Sequence, residues 1–116
     1  MTCVTNLILT TAIYDGAWMN SDYGSVDKLN EYLYKYYQGS RFSCVTDHSG
    51  GRKSMSCDVF IAAIDYLNIP EFIEQFHKID WEKPKEALLM IKTEGQASFT
   101  LYQAKLCLAG LSLIGN

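Results

Sequence analysis

The sequence predicts an α+β fold: an antiparallel sheet of four to five strands with two helices on one face. Three observations carry that expectation. Apolar residues recur with period two in some segments and with helical spacing in others, in the order strand, helix, strand, strand, helix, strand, strand. Turn-forming residues separate the segments. At 116 residues the chain is long enough for one core that removes roughly two-thirds of its unfolded surface from water.

Residues 4–13 hold Leu7, Ile8 and Leu9 among three threonines, with apolar side chains on both faces, so they form a central strand. Residues 14–24 collect Asp15, Gly16, Asn20, Ser21, Asp22 and Gly24 around Trp18 and Met19, which makes a loop with an aromatic anchor. Ser25 then caps a helix with Asp27 near its positive end, and Val26, Leu29, Leu33 and Tyr36 follow at helical spacing until Gly39. Phe42, Cys44 and Thr46 alternate with Ser43, Val45 and Asp47 in a short strand that enters the loop of residues 48–54. Met55, Cys57, Val59, Ile61 and Ala63 begin a second central strand whose other face also turns apolar through Phe60, Ala62 and Ile64; a helix over 55–67 fits the spacing as the alternative. Asn68, Pro70 and Glu71 start a helix with the stripe Ile69, Phe72, Ile73, Phe76 and Ile79. Beyond Pro84, residues 87–91 and 97–102 form a hairpin about Glu94 and Gly95.

This order resembles the ferredoxin-like sandwich with one added edge strand. The resemblance is to an architecture, covers about residues 5–102, and carries no particular activity with it. One domain is expected over residues 1–116, with an apolar tail at 103–116 that forms a last strand, a short helix or a contact surface. The predicted core is Leu7, Leu9, Val59, Ile61, Phe72, Phe76 and Leu89, with Trp81 packing partly over the sheet edge.

Charge and cysteine use narrow the function classes. A net charge of −3 provides no positive field to recruit phosphate backbones, so nucleic acid is not an expected partner. The longest apolar run, 106–114, is about half of what a bilayer requires, so no membrane span is expected. The first residues lack the pattern of a secretory signal, which points to the cytoplasm. Cys3, Cys44, Cys57 and Cys107 have no two-residue spacing and lie in apolar runs. They read as buried reduced thiols, with Cys44 to Cys57 the one pairing the strands would permit. Two histidines and no cysteine cluster leave a metal short of ligands, and no cofactor is implied. His77, off the apolar stripe of its helix, reads as a solvated surface residue.

Two features rise above the scaffold. The first is the loop that gathers His48, Gly50, Gly51, Arg52 and Lys53. Its glycines can align backbone N–H groups, the guanidinium offers a planar fork, and together they would hold an anionic small molecule or nucleotide. The plainer reading is a solvated turn, since the first glycine of a phosphate-binding loop is missing and a helix would have to follow. Asp47 beside His48 suggests a small hydrolase or isomerase, although neighbours along a strand face opposite ways. The second feature is aromatic. Trp18 and Tyr23 precede a helix carrying Tyr34 and Tyr37, and such rings bury area while keeping a polar tip free. The leading expectation is therefore a small non-enzymatic interaction module, self-associating or acting on a protein partner. An accessory or inhibitory factor of the kind phages and mobile elements encode would fit.

Overall fold

The computed structural model describes residues 3–12, 22–81 and 83–104. Strands β1 (Val4–Ala12), β2 (Ser43–Cys44), β3 (Cys57–Asp65), β4 (Leu88–Thr93) and β5 (Thr100–Gln103) join helices α1 (Asp22–Tyr36) and α2 (Ile69–Lys78). The sheet order is β2-β3-β1-β4-β5, and every neighbouring pair is antiparallel. Two strand–helix–strand units are thus interleaved: β3 lies between β1 and β2, and β1 lies between β3 and β4. That is the ferredoxin-like arrangement, and β5 is its added edge.

Register decides which side of each strand is covered. Leu9 sits opposite Phe60 on one neighbour and Leu89 on the other, while Ile8 sits opposite Ile61 and Met90. Because side chains alternate, the first trio points to one face and the second to the other. Val26, Leu29, Tyr32 and Leu33 of α1 and Phe72 and Phe76 of α2 join Leu7, Leu9, Phe60, Ile64, Leu89 and Ile91 in one core. Both helices therefore cover the same face. Val59 and Ile61, expected inside, lie on the opposite side, where Val59 is half-buried and Ile61 is 43% exposed. The strand's two faces are both apolar, so composition alone could not choose between them.

Helix ends follow from local chemistry, with one correction. The Asn68 side chain accepts a hydrogen bond from the Glu71 N–H at 3.2 Å, and Pro70 occupies the first turn, where its missing N–H costs nothing. At the other end, the Trp81 indole N–H donates to the Phe76 carbonyl at 3.2 Å, and the ring is buried rather than draped on an edge. Helix α1 begins at Asp22, so Ser25 is a buried residue inside it instead of its cap. It ends at Tyr36, and the chain turns away at Gly39, whose φ of +81° lets its N–H reach back to the Tyr34 carbonyl at 3.2 Å.

Further corrections concern the strand edges and the thiols. β2 is only two residues long, because Thr46–His48 closes into a 3₁₀ turn. Asp47 and His48 are therefore turn residues rather than strand neighbours. Cys44 is exposed and Cys57 half-buried, not two packed thiols. Cys44 sits opposite Phe60 and Cys57 opposite Ala12, so the two are not in register for a disulfide. His77 is half-buried, with Nε2 3.2 Å from the Gln103 carbonyl, and so ties α2 to β5.

Candidate interaction surface

The face of the sheet opposite the helices, helix-free among the described residues, presents a continuous apolar row. The register places Ile61, Ile8, Met90 and Leu101 side by side across β3, β1, β4 and β5. A second row, Val59, Thr10 and Leu88, flanks it on one side, and a third, Ala63, Asn6 and Lys92, flanks it on the other. Leu101 is 60% exposed and Phe99, just before β5, is 41% exposed. Where the third row meets the residues before β2, Arg41 joins Lys92 and Phe99 around a concavity of about 670 Å³. The Lys92 ammonium lies 5.9 Å from the Phe99 ring centroid, near enough for cation–π attraction. Asn6 is held by its side-chain N–H to the Lys92 carbonyl at 3.1 Å. The surface is thus aliphatic at its centre and basic at one end. Physically, it can bury apolar area against another flat surface.

Placement of the sequence-derived candidates is uneven. His48, Gly50, Gly51, Arg52 and Lys53 are all exposed, and strand β3 rather than a helix follows their loop. No helix N-terminus therefore follows the glycines in the chain, although Gly51 does adopt a φ of +96°. Tyr34 is 70% exposed and borders a concavity of about 400 Å³ with Asp27, Glu31 and Arg41. Tyr37 is half-buried, and its hydroxyl accepts a hydrogen bond from the Asn68 N–H at 3.0 Å, which joins α1 to the start of α2. Trp18 and the side chain of Tyr23 lie outside the described residues, as does the apolar segment 105–116. Among the described residues, no group of three or more His, Cys, Asp or Glu side chains could hold a metal ion. No helix among them is long and apolar enough to cross a membrane.

Two polar groupings escaped the sequence reading. Asp58, 2% exposed, accepts a hydrogen bond from the Thr46 hydroxyl at 3.1 Å, and that hydroxyl accepts one from the Val59 N–H at 2.9 Å. With the Thr46 proton committed, the Cys44 thiol 3.3 Å away is left as donor to the same oxygen. Alternation of Asp58 with apolar neighbours was the available signal, but an aspartate is ordinarily read as facing solvent. The second grouping is aromatic. Tyr32 donates its hydroxyl proton to Glu71 at 2.8 Å, and its ring lies 5.2 Å from Tyr36, 6.0 Å from Tyr37 and 6.1 Å from Phe72. Burial, and then the hydrogen bond to Glu71, push the Tyr32 hydroxyl well above its ordinary pKa. Both groupings brace the scaffold. No family model matches this chain, and no curated protein or solved structure matches it.

Proposed function

We propose that this chain is a non-enzymatic interaction module that self-associates face to face through the helix-free side of its sheet. The observation that carries the reading is the row Ile61, Ile8, Met90 and Leu101, apolar across four strands on a face that neither helix covers. Both edge strands are short, β2 with two residues and β5 with four, and short edges offer little for strand-to-strand pairing. The face therefore has more to offer than the edges.

Charge placement favours a second copy in one orientation. Arg41 and Lys92 lie toward one end of the strands, and the Val59, Thr10 and Leu88 row at the other end is uncharged. A two-fold axis parallel to the rows puts the basic end of one copy over the uncharged end of the other. An axis parallel to the strands would superpose the cations, which is repulsive. The loop at residues 50–53 supports an anion site less well, because its side chains stand in solvent without a converging partner element.

The test is native mass spectrometry and light scattering on the full chain, on Ile61→Glu and on Leu101→Glu. A dimer that both variants abolish, with melting unchanged, is the expected result. A monomer at every concentration, or a dimer that survives both substitutions, overturns the reading. Hydrogen exchange on a chain lacking residues 105–116 tests a competing occupant: loss of protection in β1 and β4 without a change in oligomeric state would put the chain's own tail on this face.

A further inference from the structure

A further cleft lies at the margin of that face, where the end of α1 meets the end of β3 and Ala63 borders both. It has a volume of about 560 Å³ and is lined by Tyr36, Tyr37, Gln38, Asp65 and Tyr66, with Val4 at its border. Three aromatic rings and one carboxylate thus share a single concavity, and among its described lining residues only Asp65 is charged. Tyr36 and Tyr66 are 60% and 64% exposed. Two walls are held in place from behind: Tyr36 and Tyr37 both stack against Tyr32, and the Tyr37 hydroxyl is engaged by the Asn68 N–H.

Backbone conformation marks the same place. The non-glycine residues with positive φ among those described are Gln38 at 54° and Tyr66 at 55°, and both line this cleft. A bulky aromatic residue adopts that region at an energetic cost, and such residues concentrate where a binding geometry is being held. The Tyr66 N–H is fixed to the Cys3 carbonyl at 2.9 Å, which anchors the turn.

We propose that this cleft binds an alkylated ammonium group. The face of a tyrosine ring is electron-rich and attracts a cation within about 6 Å of its centroid, and the carboxylate adds a formal charge of the right sign. An alkylated ammonium suits the site better than a bare one, because its methyl groups pack on the rings and it gives up little hydration on leaving water. The Tyr36 ring already draws a cation of the chain itself, with the Lys35 ammonium 5.3 Å from its centroid. The ligand is either a free quaternary amine or a methylated lysine on another protein, which present the same head group.

The experiment is a proton NMR titration of the full chain with tetramethylammonium chloride, with a trimethyllysine peptide, and with a neutral tert-butyl alcohol of matching shape. At constant ionic strength, the cation's methyl resonance is expected to move upfield from the ring currents and to saturate. Protein shifts should centre on Tyr36, Tyr37, Asp65 and Tyr66. Asp65→Asn and Tyr66→Gly should each weaken binding about tenfold, and glycine is chosen because it suits the positive φ while removing the ring. Tighter binding of the peptide than of tetramethylammonium assigns the site to a modified side chain, and comparable binding assigns it to a free amine. No saturable shift with either cation, equal binding of the neutral analogue, or unchanged affinity in both variants overturns the proposal.

Discussion

The two faces of the sheet carry nearly the same kinds of residue and have opposite fates. On the helix side, Leu7, Leu9, Phe60, Ile64, Leu89 and Ile91 are buried under α1 and α2. On the other side, Ile8, Ile61, Met90 and Leu101 form an equally apolar row that neither helix covers. Hydrophobicity therefore does not separate core from surface here; the register between strands and the side on which the helices land do. On the helix side, the buried carboxylate of Asp58 is partnered by the Thr46 hydroxyl. On the helix-free side, Asn6 and Lys92 sit at the margin.

The sharpest way to break this comparison is to remove equivalent side chains from each face. Phe76→Ala, at a fully buried position, should cost about 3–5 kcal/mol in urea unfolding, and Leu9→Ala about 2–5 kcal/mol, while Leu101→Ala should cost under about 1 kcal/mol. Similar costs on both faces would mean that the second face is core as well.

A smaller effect is expected from the polar contact on the covered side. Thr46→Val keeps the shape and removes the hydroxyl that serves Asp58 and the Val59 N–H, so it should cost about 1–3 kcal/mol. No change in the denaturation midpoint would show that the carboxylate is satisfied without it.

Tyr32 links the covered side to pH. Its folded-state pKa is raised above the ordinary value of about 10, so its contribution is complete below that pH and is lost as alkali ionises the hydroxyl. Wild type should lose more stability between about pH 9 and pH 11 than Tyr32→Phe does. At neutral pH, Tyr32→Phe should be weaker by about 1 kcal/mol through the lost bond to Glu71. Parallel pH profiles for the two proteins would contradict the assignment.

The smallest effect belongs to the exposed loop. Arg52→Ala combined with Lys53→Ala should shift stability by under about 0.5 kcal/mol. A thermal-shift screen of the double variant against phosphates and nucleotides, compared with wild type, shows whether the loop does anything beyond turning the chain.

Much of the architecture was legible in the residues themselves. Asn68, Pro70 and Glu71 specify a helix start by side-chain hydrogen bonding and a fixed φ, which are local properties, and the start is where they place it. Leu7, Ile8 and Leu9 among three threonines form an apolar, β-branched run of strand length, so β1 could be read as a strand, and runs apolar on both faces marked β1 and β3 as central. The candidate interaction surface was less legible. Tyr34 and Tyr37 look alike in sequence, yet one is exposed and the other bonds Asn68, because only the packing of α1 against α2 distinguishes them.

What the sequence by itself determined is the set of elements and their order, since periodicity, capping and turn chemistry act over a few neighbouring residues. What only the tertiary structure decided is sidedness. Phe60 and Ile61 are adjacent and both apolar, and nothing local says which belongs to the core. Pairing Leu9 with Phe60 and Ile8 with Ile61 settled it, because a shift of one residue in register would have exchanged the two faces completely. The tyrosine cleft has the same origin: Tyr36 and Tyr66 are thirty residues apart in the chain and meet because α1 ends beside the end of β3.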